Sequence, residues 1–186
     1  FKVLGRVDAE HPMLHPGAGD PHPGLQRTQL FQRLPPLQRA WRQGNEAFQR
    51  RAPIRINADV MPPRAKAITN YQNSRYVSTE AKLNGFDYGI VLNDRGKVAE
   101  GSHACIFVVR DGVAITPPTT AGILESITRE SAITLLQEAG VQVQERDIDR
   151  SELYVCDEAF FVGTYIEIEA IGAIDHYVLG DGGVGL

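Results

Sequence analysis

Lys66, in the run Ala65-Lys66-Ala67-Ile68-Thr69-Asn70-Tyr71, and Glu100, in Ala99-Glu100-Gly101-Ser102, are residues whose types can be joined in one reaction. A lysine amine is a nucleophile only when deprotonated, and burial or a neighbouring cation depresses its pKa enough for it to attack an aldehyde. A carboxylate is the partner a pyridinium nitrogen requires if a heteroaromatic ring is to draw electrons from a substrate carbanion. With 19 basic and 23 acidic residues in the chain, such a pair also arises by chance, so spacing alone favours two solvated side chains. The motifs and elements around the pair must decide.

Six blocks occur in order: Pro62-Pro63-Arg64-Ala65-Lys66-Ala67, Asn70-Tyr71, Ala99-Glu100-Gly101-Ser102, Ile115-Thr116-Pro117-Pro118, Gly122-Ile123-Leu124-Glu125-Ser126-Ile127-Thr128-Arg129 and Asp157-Glu158-Ala159-Phe160-Phe161-Val162-Gly163-Thr164. Each is short, but the ordered set is specific. Over about residues 55–186 the chain resembles the large domain of the class IV (fold-type IV) aminotransferases, which work with pyridoxal 5'-phosphate. The resemblance implies a mixed α/β (α+β) fold of the D-amino acid aminotransferase-like kind. It implies that Lys66 forms the Schiff base with the cofactor and shuttles the proton, that Glu100 faces the pyridine nitrogen and that Tyr71 is the active-site tyrosine. Ile127, Thr128 and Thr164 fall on the positions that hold the cofactor phosphate.

Elementary physics agrees with the phosphate assignment. Ile127 and Thr128 open a segment that reads as a helix to about Ala139 and stops at Gly140, and free amides at a helix start attract anions. Ala132, Ile133, Leu136 and Ala139 form an apolar stripe, with Arg129, Glu130, Gln137 and Glu138 elsewhere on the helix. An ordinary packed helix capped by Thr128 is the bland alternative; the helix is read as structural and its first turn as functional.

The surrounding pattern is regular after residue 50. A short strand is expected at Ile54-Arg55-Ile56, a helix over Tyr71–Leu83 ended by Gly85, and a hairpin of Tyr88–Leu92 and Val98-Ala99 about the turn Asn93-Asp94-Arg95-Gly96. Residues 104–109 and 113–116 flank Asp111-Gly112 as a second hairpin. Residues 141–144, 159–162, 166–168 and 170–174 read as strands, with a helical turn over 151–154.

Residues 1–50 are expected to be an irregular segment, a remnant of a small domain. Residues 11–44 are punctuated by His11-Pro12, His15-Pro16, Pro21-His22-Pro23 and Pro35-Pro36. A zinc reading of His11, His15 and His22 lacks a standard ligand spacing, and a proline-rich loop is favoured. Residues 51–186 are expected to be the cofactor-binding domain. The family's smaller N-terminal domain supplies an arginine to the phosphate; Arg39 is the weak candidate for it, against a plain solvated loop residue. After Thr164 the family places small residues, whereas Tyr165-Ile166 stands here, so Tyr165 is expected either to narrow or reshape the substrate pocket or to stack or hydrogen-bond within it, and the sequence does not decide between the two. The upstream mismatch and the Gly-rich end suggest a truncated or recombined chain.

Composition limits the alternatives. Of 186 residues, 42% are hydrophobic and 23% charged, as in ordinary globular proteins. A net charge of −4 offers no general attraction for nucleic acid, no apolar run reaches bilayer length and no signal-peptide pattern opens the chain. Cys105 and Cys156 read as free, packed thiols of a cytoplasmic protein. A cysteine-histidine nucleophile built from Cys105 and His103 lacks a third orienting group.

The resemblance therefore implies pyridoxal-phosphate-dependent transamination between an amino acid, branched-chain by the closeness of its motifs, and a 2-oxo acid such as 2-oxoglutarate. It implies a homodimer with neither nucleic acid nor membrane as partner. D-amino acid transamination and aminodeoxychorismate lysis share the fold. An inactive domain with an interaction role is the alternative of another class.

Overall fold

The computed structural model describes residues 45–48, 57–58 and 60–180. The expected strand Ile54-Arg55-Ile56, Arg39, the histidines His11, His15 and His22 and the Gly-rich end lie outside them. Among the described residues are nine strands: β1 (Asn45–Phe48), β2 (Tyr88–Leu92), β3 (Val98–Gly101), β4 (Cys105–Arg110), β5 (Val113–Thr116), β6 (Gln142–Glu145), β7 (Glu158–Gly163), β8 (Glu167–Ile174) and β9 (Tyr177–Val178). Two α-helices accompany them, α1 (Tyr71–Leu83) and α2 (Ile127–Glu138). The strands form one mixed sheet in the order β3-β2-β1-β8-β7-β4-β5-β6, with β9 paired to β8.

Side-chain alternation decides what each face holds, because successive residues of a strand point to opposite sides. In β4, Ile106 and Val108 join Ala159 and Phe161 of β7 in one core cluster with Ile90, Ile148, Leu153 and Ile174. Cys105, Phe107 and Val109 join Phe160 and Val162 on the other face. Phe107 and Phe160 are register partners, and their rings stack at 5.0 Å. The second face is covered by α2, which contributes Ala132 and Leu136 with Ile133 and Ala139 at its margin. This is the expected stripe.

Turn chemistry set the hairpins as expected. Asp111 and Gly112 both adopt positive φ between the antiparallel β4 and β5, the geometry that a tight two-residue turn demands. Gly85 follows α1 and Gly140 follows α2 in the left-handed region, each ending its helix. α1 packs on β2 where Gly89 leaves room: a Cβ there would collide with Val77 of the helix.

Five expectations are corrected. β1 lies before the compositional break near residue 50, yet it inserts between β2 and β8, parallel to both. Four residues with a single buried position known, Ala47, carry too little periodicity to announce a strand. The two expected pieces at 166–168 and 170–174 are one strand, β8, and the return strand β3 extends through Glu100 to Gly101. The cap of α2 is Ser126, whose hydroxyl accepts the Arg129 N–H at 3.3 Å, rather than Thr128. Arg129 is buried rather than on the polar side: it donates to Pro117 O at 2.9 Å and Thr116 Oγ1 at 3.4 Å and pairs with Glu145 at 2.6 Å.

Candidate active site

A cleft of about 690 Å³ opens where the beginning of β4 meets the end of β7, a size ordinary for a small-molecule site. Lys66, Tyr71, Glu100, Thr164 and Tyr165 all line it. Lys66 and Tyr165, 99 positions apart in the chain, thus meet at one cleft.

Glu100 sits on β3 opposite Val91 and is only 8% exposed. Its Oε2 accepts the Leu124 N–H at 3.1 Å, which ties the carboxylate to the segment that feeds α2. A buried carboxylate is costly unless it meets donors or a cation, and the Leu124 N–H is one such donor beside the cleft. Gly101 lets the chain turn back immediately afterwards. A Cβ there would stand 2.6 Å from Phe161 Cε1 and 3.1 Å from Ala104 O. The next residue, Ser102, is 3% exposed, lines the cleft and has a hydroxyl without a hydrogen-bond partner. Ser102 was legible only as part of the Glu100-Gly101-Ser102 block; its orphan hydroxyl has no sequence signal.

Lys66 lies in an irregular stretch before the short turn Ile68–Asn70 and is exposed, so burial does not by itself desolvate its amine here. Across the cleft, Ser126 lines the wall at the start of α2, and Gly163 and Thr164 line it at the end of β7. Thr128 stands 3.4 Å from Thr164, hydroxyl to hydroxyl. Ile127, whose side chain is 83% exposed, and Thr128 are not among the residues that line the cleft. Tyr165, at 97% exposure, stands at the rim. Among the described residues no arginine lines the cleft, and Arg129, in the first turn of α2, is committed to Pro117 and Glu145.

The remaining cleft wall mixes apolar side chains such as Phe86, Leu124 and Val162 with polar ones. His103 Nε2 lies 2.7 Å from Ser78 Oγ, and its pKa is lowered, first by desolvation and then by the Lys82 cation. His103 precedes β4 and reaches Ser78 of α1, while the buried Cys105 packs with the α2-side core and its thiol donates toward Leu124 O; both residues line the cleft. Tyr88 donates to Glu169 Oε2 at 2.8 Å, and burial, reinforced by that carboxylate, raises its pKa. Both cysteines are buried thiols outside any disulfide, and burial pushes the Cys156 thiol up to about 12. No group of metal-ligating side chains and no helix long and apolar enough to cross a membrane occurs among the described residues.

The donor set fits pyridoxal phosphate. It offers the primary amines of Lys66 and Lys82, one buried carboxylate, and beside it a helix start with two neighbouring hydroxyls, which suits an anion.

Comparison with known proteins places this geometry. The model of the family "Amino-transferase class IV" matches residues 12–174. A probable branched-chain-amino-acid aminotransferase of Aquifex aeolicus is 47% identical over 126 residues, 67% of this chain and 40% of that protein. The branched-chain-amino-acid aminotransferase of Escherichia coli K12 is 39% identical over 131 residues, 70% of this chain and 42% of that protein. Among solved structures, the pyridoxal-phosphate form of the branched-chain aminotransferase from Thermobaculum terrenum superposes with a TM-score of 0.73 at 48% identity, covering 76% of this chain and 46% of that one. An Escherichia coli branched-chain aminotransferase gives 0.75 at 38%, covering 77% and 47%. The chain thus spans less than half the length of these relatives. With the family model matching most of the sequence and the sheet superposing on solved members, this chain belongs to the class IV aminotransferases.

Proposed function

We propose that this chain is part of a pyridoxal-phosphate-dependent aminotransferase that moves an amino group between a branched-chain amino acid and a 2-oxo acid such as 2-oxoglutarate. The observation that carries the proposal is the convergence of Lys66, buried Glu100 and Thr164 on one cleft. When bound, the cofactor supplies an aldehyde for amine condensation and a ring that accepts electron density from the substrate's Cα.

The chain's own residues then have distinct tasks. Lys66 tethers the cofactor through its amine and, once released by the substrate's amino group, carries the proton at Cα. Glu100 keeps the ring nitrogen protonated, a role its burial strengthens because a carboxylate in low dielectric binds a facing N–H more tightly. Tyr71, which lines the cleft, would hydrogen-bond the cofactor's phenolic oxygen. The backbone amides of Ile127 and Thr128 and the hydroxyls of Thr128 and Thr164 bind the phosphate, with Arg39 as the candidate arginine. Tyr165, at the rim, contacts the substrate. A homodimer in the cytoplasm completes the proposal; exposed Ile68 and Ile127, which flank the site residues, support a covered surface there.

The test is the visible absorption of the purified chain with pyridoxal phosphate, before and after borohydride, with Lys66→Ala beside it. A band that depends on Lys66 and is removed by borohydride is expected, followed by amino transfer from leucine, isoleucine or valine in a substrate panel. Identical spectra for wild type and Lys66→Ala would overturn the proposal.

A further inference from the structure

We propose that Asn70 is a positioning residue for Lys66, its carboxamide cinching the turn that presents the lysine to the cleft, with Arg64 as a second strap to the opposite lip. The inference rests on the proposed role of Lys66 and adds what holds that residue in place.

The segment from Pro62 to Ala67 carries no regular element, and two backbone hydrogen bonds close it locally, Ala65 N–H to Pro62 O at 3.2 Å and Ala67 N–H to Ala65 O at 2.7 Å. A lysine on so loose a stretch would sample many positions, because each unfixed residue keeps its backbone freedom. Asn70 stands at the N-terminus of α1, where an asparagine ordinarily caps the helix with its side-chain oxygen. Here it makes no cap bond. Its Nδ2 instead donates to Pro62 O at 3.0 Å and Ala65 O at 2.8 Å. A primary amide nitrogen carries two hydrogens, so both bonds form at once and span the residues on either side of Arg64. The helix forgoes its cap, and the turn bearing Lys66 gains two closures.

Arg64 points the other way. Its Nε pairs with Glu125 Oε1 at 2.9 Å, and its terminal nitrogen donates to Thr119 Oγ1 at 3.3 Å. Glu125 immediately precedes Ser126, the cap of α2, so this strap links the lysine turn to the segment leading into the proposed phosphate site. The pair is largely exposed and contributes little to overall stability, which separates a positioning effect from a folding effect. Small displacements of a reactive group lower rates steeply, roughly a hundredfold for about 1 Å.

The experiment uses the full chain and follows Lys66 itself: the rate of borohydride-trapped pyridoxal phosphate attachment at Lys66, read by peptide mass spectrometry from pH 6 to 10. It compares wild type with Asn70→Ala, Asn70→Asp and Arg64→Ala, alongside thermal unfolding. Asn70→Asp has the shape of asparagine without its donor hydrogens. The expected result is that both Asn70 variants slow attachment at least about tenfold and change its pH profile, Arg64→Ala slows it several-fold, and pyridoxal without phosphate shows the same Asn70 dependence. Folded Asn70 variants with wild-type rate and pH profile would overturn the inference while leaving the proposed function standing. No attachment at Lys66 in the wild type would overturn both.

Discussion

Thr128 Oγ1 and Thr164 Oγ1 stand 3.4 Å apart although 36 residues separate them in the chain. One hydroxyl belongs to the first turn of α2 and the other follows the last residue of β7, so the contact joins a helix start to a strand end beside the cleft. Two hydroxyls beside free helix amides make a place for a phosphate, and the contact gives that place a testable signature.

Thr128→Val and Thr164→Val are expected to weaken pyridoxal phosphate binding by about tenfold each, the loss of one hydrogen bond to a charged group. Binding of pyridoxal, which lacks the phosphate, is expected to stay unchanged. Titration of both ligands by absorbance checks the pair. An equal effect on both would remove these hydroxyls from the phosphate site.

Arg129→Ala is expected to destabilise the fold by about 2 kcal/mol, since it leaves Pro117 O and Thr116 Oγ1 without the buried guanidinium. Glu145→Gln is expected to cost under about 1 kcal/mol, because that carboxylate is half exposed. For a chain of this length the first change lowers Tm by roughly 4–8 °C, measurable by circular dichroism or calorimetry. A Tm for Arg129→Ala matching that of Glu145→Gln would mean that the buried contacts add nothing to the ion pair.

His103 makes stability fall on acidification. Its pKa in the folded chain lies below the ordinary 6.5, first through desolvation and then through Lys82. The unfolded chain therefore binds more protons below pH 6.5, and stability rises with pH through that window and levels off above it. His103→Gln is expected to flatten the pH dependence of Tm between pH 5 and 7, whereas Lys82→Met is expected to reduce it in part. An unchanged slope in His103→Gln would assign the acid sensitivity to other groups.

Much of the fold was legible in the residues. Both hairpins, α1 and α2 were announced by short-range signals: the strand-like run 88–92 before the turn Asn93-Asp94-Arg95-Gly96, Asp111-Gly112 between two apolar runs, the stripe Ala132, Ile133, Leu136 and Ala139, and terminal glycines at 85 and 140. Such signals work because strand and helix periods are local properties of the backbone. β1 escaped because four residues define no period, and its place between β2 and β8 depends on partners more than 40 positions downstream. Arg129 escaped because a charged residue on a helix reads as solvated until Pro117, Thr116 and Glu145 are brought round it.

By its motifs the sequence alone determined the family resemblance, the lysine and the carboxylate of interest and the helix whose start faces the site. Only the tertiary structure decided that Lys66, Tyr71, Glu100, Thr164 and Tyr165 line one cleft, that Ser126 rather than Thr128 caps α2, and that the Asn70 carboxamide closes the lysine turn instead of capping its own helix. The reason is one of range. Periodicity and capping preference are set by neighbours within a few residues, whereas the direction of a side chain and the company it keeps are set by sheet register, which pairs residues far apart in the chain.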